Sequence, residues 1–498
     1  GQCSGRSRIE GQLMSATATP GYRLDPLDRG LVGRLDRRQL VILGIGAACW
    51  LMASISGAGF IPGVITFALS WVVTVPRFGG QVLAEWLPIW CGWTVRGRWS
   101  RHWLRPLHLT SAGLVDDGPA LPPWLGGLRI VAHPTQKWAA IHDTQAQTLT
   151  AHLQITGTGF TTLAPDQMAL LLTGWGSVFQ AVPTDDGVVR ITWSDIARRM
   201  PLVGHQEWVD ANGTDHDVLD EYRSFVDGSS HMRPDLVLTL TMRVGSLKSA
   251  DAQRAGFERI TESVTILRDA LNEAQLDAHG PLQAGEIAYL MRAGLSPNSV
   301  EPAGGTIAGS LVQRLGLIPT ATAGPMSVDA TSKHVCVDDV AHQCFWVEAW
   351  PERLQSADWF DSVISSDVPG VVQRVFTLIV EPLDDAKALN EIRMASSRHG
   401  GEQLAAAEGR TRWDSFKAAK ASAVNERERE MASGHAPVAY TALVTVTVGD
   451  VDELNRAGQA IRRRCERNRV MLRPLWGRMD IGLAAGLPIG LGLSREPF

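Results

Sequence analysis

From Gln39 to Pro76 the sequence carries no charged residue, and this uninterrupted run constrains the chain more than any other feature. It is too long for one apolar helix of ordinary span and long enough for two short ones. The first runs from Leu40 to about Ser56 and the second from about Phe60 to Val75, with Gly57-Ala58-Gly59 between them. At 1.5 Å per residue each arm reaches roughly 25 Å, somewhat less than a typical hydrocarbon core. Gly57, Gly59, Pro62 and Gly63 sit where a reversal needs them. Arg34, Arg37 and Arg38 precede the run, while Arg77, Arg96, Arg98, Arg101 and Arg105 follow it. Positive flanks on both sides predict a two-pass plasma-membrane hairpin with both termini cytoplasmic, and make Arg37, Arg38 and Arg77 the topology residues. A signal peptide fits less well, because more than thirty mostly polar residues come first and the apolar run is of double length.

Residues 77–105 carry a different pattern. Trp86, Trp90, Trp93, Trp99 and Trp103 alternate with arginines and with a few aliphatic side chains. Indoles beside guanidinium groups suit a headgroup region, so this stretch predicts an interfacial amphipathic segment seated by Trp86, Trp90 and Trp99 on anionic lipids. The charge distribution agrees. Up to residue 110 there are twelve arginines and no lysine against five acids, so the remainder of a chain of net charge −5 is distinctly acidic. That remainder has no domain-wide basic excess, so direct nucleic-acid binding is not expected.

The division of the chain follows from these segments: a cytoplasmic tail at 1–38, a hairpin at 39–76, an interfacial segment at 77–105 and a Pro/Gly-rich linker at 106–127. A first α+β region at 128–350 and a second at 351–498 complete it. In the first region, Leu128–Ala132, Trp138–Asp143 and Gln147–Thr156 read as meander strands, and Leu236–Val244 as a strand. Residues 249–276 place Phe257, Ile260, Val264, Leu267 and Leu271 on one helical stripe. In the second, Val372–Val380 and Tyr440–Val448 are strongly strand-like. Residues 384–430 are helical with an interruption at Gly400-Gly401, and Val451–Asn468 is a helix ending in arginines. The fold class predicted is a membrane α-helical hairpin plus α+β, with two successive antiparallel-sheet α/β units in ferredoxin-like or split βαβ style. Helices inserted between strands should project as ridges that present a protein-binding surface.

No motif for chemistry emerges. There is no GxxxxGK[ST], HExxH or GxSxG. Gly304-Gly305-Thr306 lacks the lysine and helix of a phosphate loop. The six cysteines, Cys3, Cys49, Cys91, Cys336, Cys344 and Cys465, have no CxxC spacing. No catalytic residue, cofactor or metal is assigned. A membrane-tethered enzyme remains an alternative, its site assembled around His334 and His342. The arginines at 462–464, 467 and 469 complement a helix C terminus.

The order of these features resembles an actinobacterial family of integral membrane proteins associated with conjugation-like type IV secretion. The resemblance is carried by the Arg-flanked hairpin, the Trp/Arg segment, RVFTLIVEPLDDAKALNEI, RTRWDSFKAAKASAVNERERE and the terminal run Trp476-Gly477-Arg478 to Gly492. It also looks like the small two-helix inner-membrane subunit fused to the N-terminal, non-motor domain of the secretion ATPase. Leu487-Pro488-Ile489-Gly490 stands where an LPG-like segment would lead into the motor, and the sequence reaches only Phe498. The resemblance therefore implies a non-catalytic scaffold of a secretion or DNA-transfer machine that seats a separate ATPase and other membrane subunits in a hetero-oligomer. Trp413, Arg427 and Arg429 are the residues expected to meet a partner. The E-type membrane subunit of type VII secretion has a similar layout and stands as the second reading.

Overall fold

The computed structural model describes residues 37–55, 60–78, 81–96, 101–105, 119–156, 163–181, 187–201, 203–213, 217–227, 230–300, 319–351, 359, 368–383, 385–409, 415–432 and 437–493. Most of the expected tail, the reversal at 57–59, Trp99, the 106–118 part of the linker, Gly304-Gly305 and Trp413 lie outside these residues.

Two apolar helices come first, α1 (Arg37–Ile55) and α2 (Phe60–Thr74). They meet along a seam of small residues. A Cβ on Gly46 would come within 2.1 Å of Ser70 Oγ, and one on Gly63 within 2.5 Å of Trp50 Cδ1. Trp50 and Phe67 also pack ring to ring at 5.9 Å. Among the described residues no helix is long and apolar enough to cross a membrane. The lengths give the reason. The 15 residues of α2 span about 22 Å, and α1 opens with Arg37-Arg38-Gln39, which leaves an apolar stretch of about 24 Å against a core of about 30 Å. The expected two-pass anchor is therefore corrected, and with it the plasma-membrane location and the membrane fold class.

A short ribbon, β1 (Arg77–Phe78) and β2 (Gln81–Val82), leads into α3 (Leu83–Val95) and β3 (His102–Leu104). The body follows as two units built in the same order. The first contains β4 (Leu128–Ala132), β5 (Ala139–Asp143), β6 (Thr148–Thr156), α4 (Pro165–Ala181) and β7 (Val188–Pro201). It continues with α5 (Val203–Asn212), α6 (Asp217–Asp227), β8 (Ser230–Arg243), α7 (Ala250–Glu273), β9 (Asp277–His279) and α8 (Ala284–Leu295). The second contains β10 (Ser327–Ala330), β11 (Val335–Val337), β12 (Val340–Ala349), β13 (Val371–Pro382), α9 (Asp385–Ala407) and α10 (Ser415–Ala432). It closes with β14 (Val438–Val448), α11 (Val451–Arg467), β15 (Met471–Pro474) and α12 (Met479–Gly486).

These units do not make two sheets. They join edge to edge into one open 13-stranded sheet in the order β3-β10-β11-β12-β14-β13-β7-β8-β6-β5-β4, with β9 on β6 and β15 on β12. Every pairing is antiparallel. The order reads the same from either end of the duplicated part, which is the signature of an internal two-fold. Both central strands carry a register shift at the same place, between Val188 and Arg190 and between Val371 and Gln373. Each shift follows a glycine with positive φ, Gly187 at 84° and Gly370 at 80°, a backbone state that glycine adopts without strain. Across the centre, Ser194 of β7 lies opposite Thr377 of β13. Counting from the two shifts, these are corresponding positions, so the pseudo-two-fold passes through this pair.

Each sheet face has its own cover. On one, α4 and α7 pack over Leu149, Leu153, Leu238 and Leu240, and α11 packs over Phe345, Val444 and Val446. On the other, α8 and α12 share a single core with Leu128, Ile141, Val328, Val335 and Val375. Ser249 caps α7 by accepting from Ala252 N–H, and Asp450 caps α11 by accepting from Asp452 N–H. Helix α9 runs unbroken through Gly400 and Gly401, correcting the expected interruption there, since both glycines face open space and nothing forces the backbone to turn.

Candidate interaction surfaces and a buried polar seam

The hairpin α1–α2 buries little except its own seam. Ile45, Leu51, Met52, Ile55, Ile61 and Leu69 are each between 59% and 78% exposed. Such a run of large apolar side chains in water is unusual, and contiguous patches of this kind mark interaction sites. The hairpin is held to the body through α3. Trp86 stacks on Trp476 with ring centroids 6.0 Å apart. Arg96 Nη1 meets the Asp480 carboxylate at 3.0 Å, and its Nη2 donates to Gly477 O at 2.7 Å. Asp480 is buried at the start of α12, so this pair clamps the N-terminal segment onto the second unit.

The helical pairs inserted between central strands, α5–α6 and α9–α10, leave the sheet at corresponding points of the two units. They too present apolar side chains: Trp208, Val218 and Phe225 on the first, Met394 and Leu404 on the second.

The residues singled out from sequence are dispersed over these elements. Arg37 and Arg38 open α1, and Arg77 opens β1. Trp86 is committed to the contact with Trp476, whereas Trp90 is 63% exposed. Arg427 and Arg429 lie on α10, half-buried and exposed respectively.

The most ordered polar arrangement was not foreseen. Below α12 and the segment that follows it, the sheet face carries hydroxyl and imidazole groups instead of aliphatic ones. His152 Nε2 contacts Pro488 O at 2.8 Å, and His342 Nε2 contacts Leu295 O at 2.8 Å while its Nδ1 lies 2.9 Å from Thr447 Oγ1. A carbonyl only accepts, so both histidines donate from Nε2. Burial pushes both down to about 4, opposed in part by those same backbone contacts. Thr377 Oγ1 donates to Gly486 O at 2.7 Å, Gln373 Nε2 to Gly294 O at 3.2 Å and Arg190 Nη1 to Gly490 O at 3.2 Å. His152, Thr239 and Thr192 stand side by side across β6, β8 and β7. The exchange is reciprocal. The end of the first unit's last helix is held by the second unit's strands, and the end of the second unit's is held by both units. Three short repeats carry this design and were open to inspection: Gly187-Val188-Val189 with Gly370-Val371-Val372, Arg254-Ala255-Gly256 with Arg456-Ala457-Gly458, and Ala293-Gly294-Leu295 with Ala485-Gly486-Leu487.

The alternative enzyme site around His334 and His342 does not assemble. Both His342 nitrogens are engaged and the ring is fully buried, whereas His334 lies in the turn between β10 and β11, where its backbone bonds to Thr331. Cys336 and Cys344 face opposite sides of the sheet and are both free. Burial pushes the Cys344 thiol up to about 12, far from a reactive thiolate. Among the described residues no group of three or more His, Cys, Asp or Glu could hold a metal ion.

The chain matches no family model and no curated protein. The resemblance to a type IV secretion membrane subunit therefore finds no match, and with the hairpin too short to cross a membrane the reading as a membrane scaffold of a secretion machine, of either type, is withdrawn.

Proposed function

We propose that the chain is a non-catalytic assembly subunit of a hetero-oligomeric complex, in which a duplicated α/β body presents the α1–α2 hairpin to helices of a partner protein. The observation that carries this reading is the exposure of Ile45, Leu51, Met52, Ile55, Ile61 and Leu69 on two helices that, among the described residues, bury little beyond their mutual seam. At roughly 25 cal/mol per Å² of apolar surface, these side chains forgo in water a stabilisation that burial against a partner helix supplies. Helices of 19 and 15 residues offer about four to five turns for ridge-into-groove packing, and a partner helix laid along them completes a small bundle. The clamp from Arg96 to Asp480 gives the hairpin a fixed footing on the body.

The test is site-specific photo-cross-linking of the full chain in its native cells, with the cross-linker at Met52 or Leu69 and, as a control, at the exposed Glu258 on α7. The expected result is one protein cross-linked from both hairpin positions, through a helical peptide mapped by mass spectrometry, and not from the control. Cross-links only to lipid, or none at all from a chain that purifies as a lone monomer, would overturn the reading.

A further inference from the structure

The two ends of the sheet correspond through the pseudo-two-fold, yet they are finished differently. At one end β10 is covered by β3. Ser327, Val328 and Asp329 lie opposite Leu104, Trp103 and His102, and Arg105 N–H donates to Met326 O at 2.9 Å. Trp103 packs against the core shared by α8 and α12, and His102 Nδ1 lies 2.9 Å from Asp329 Oδ1. At the other end β4 pairs only with β5 among the described residues.

The correspondence is residue by residue. Thr150 and His342 lie opposite the matching threonines Thr241 and Thr447. Stepping outward, Ile141 matches Val335, Asp143 matches Val337, and so Leu128 matches Val328 and Arg129 matches Asp329. Burial agrees, because Leu128 and Val328 are 4% and 3% exposed and belong to one core, while Arg129 and Asp329 face solvent. Hydrogen bonding has the same phase. Thr144 N–H donates to Gly127 O and His133 N–H to Trp138 O, so the odd-numbered residues of β4 bond inward to β5. The N–H and C=O groups of Leu128 and Ile130 point outward, as those of Val328 do toward Trp103.

We infer that the outer edge of β4 binds an extended segment of a partner protein, added antiparallel as a further strand, with an aromatic residue opposite Leu128 and an acidic residue immediately before it opposite Arg129. The molecule supplies the template itself, since β3 does the same on β10 with Trp103 and His102. The charge is inverted, so that Arg129 calls for an acid where Asp329 takes a histidine. Exposed strand edges are a recurring peptide-recognition surface, main-chain bonds giving affinity and alternate side chains giving specificity. The inference uses no residue of the helical hairpin and stands independently of it.

The test uses the full chain and an acetylated nine-residue peptide of alternating Thr and Val with a central Glu-Trp pair. The controls are a Lys-Trp peptide and a Glu-Trp peptide N-methylated on the Trp amide. Saturable binding by fluorescence anisotropy is expected, with amide exchange at Leu128 and Ile130 slowed at least tenfold and affinity lowered at least tenfold by N-methylation. Arg129→Glu, a change at an exposed site that leaves folding intact, should reverse the preference between the Glu-Trp and Lys-Trp peptides. No saturable binding, indifference to N-methylation or protection of both amides before peptide is added would each overturn the inference. So would self-association through this edge in place of peptide binding.

Discussion

The imidazole of His152 donates to the carbonyl of Pro488 across 2.8 Å, joining the third strand of the first unit to the segment that ends the second. His342 performs the converse task on Leu295. Two repeats that could have been strung as separate bodies are thereby locked on a common sheet, α8 ending over strands of the second unit and the segment after α12 lying over strands of the first.

This lock is acid-sensitive. Burial holds both histidines near 4 in the folded chain against 6.5 in the unfolded one. A depressed histidine is neutral when folded, so its contribution is intact above pH 6.5 and is lost as the pH falls toward 4, while the unfolded chain takes up the proton first. A difference of that size is worth on the order of 3 kcal/mol per histidine. Asp195 acts in the opposite sense, because burial raises it to about 6 and its protonation favours the folded state as the pH falls from there toward 4. Two histidines against one carboxyl leave a net loss. Urea midpoints should fall between pH 7 and pH 4.5, and His342→Gln should reduce that slope even if it lowers stability at pH 7. An unchanged slope in the variant would show that the lock does not titrate.

Gly490 should tolerate no side chain. Its φ is 75°, and a Cβ there would lie 2.2 Å from Thr150 Oγ1 and 2.6 Å from Thr241 Oγ1, both on buried strands. Gly490→Ala is expected to cost about 2 kcal/mol or more, from strain and overpacking together. Gly401→Ala, in open space on α9, should instead stabilise by about 0.5–1 kcal/mol. Denaturant midpoints of the two variants should therefore move in opposite directions.

How much of this was legible differs from element to element. The strands at 139–143 and 438–448 and the helices at 250–273 and 451–467 announce themselves by period, because each has one buried face and one wet or differently packed face. Their assembly into one sheet does not. β7 and β13 each bury both faces, so nothing in either strand marks it as a junction instead of an interior member of its own unit. The glycine-led Val-Val and the two Ala-Gly-Leu triplets did hold the repeat, at spacings that differ from one pair to the next because the inserted helices differ in length. The apolar run forms two helices but not the expected membrane anchor, because the flanking arginines leave too short an apolar length. The histidines of the seam carried no local signal, since their partners are backbone carbonyls 336 and 47 residues away.

Arg374 and Asp195 form an ion pair at 3.4 Å, both side chains at most 3% exposed, on the face of the central strands opposite the seam. Burial alone would disfavour either charge, and each reduces the other's cost. Asp195→Ala should therefore destabilise by about 3–5 kcal/mol, because a guanidinium is left in the core without its carboxylate. The double variant Asp195→Leu with Arg374→Met, which removes both charges and fills the volume, should recover most of that loss. Denaturation of the two variants side by side checks this; a double variant no more stable than the single one would mean the pair does not act through mutual neutralisation.

The clamp between Arg96 and Asp480 should decide how firmly the N-terminal helices sit on the body. Asp480 is nearly fully buried, whereas Arg96 is partly open to water, so removing the arginine takes a guanidinium from a buried carboxylate. Arg96→Ala is expected to cost about 2–3 kcal/mol in α12. It should also loosen α3, which is tied to the body further by the stacking of Trp86 on Trp476 and by Trp93 against the core. Asp480→Asn retains an acceptor for the guanidinium and should lose less. Amide exchange separates these outcomes. In Arg96→Ala, amides of α3 and of residues 479–486 should exchange faster together while those of β7 and β13 are unchanged. Acceleration confined to α3 would show that the clamp holds the helices without stabilising the second unit.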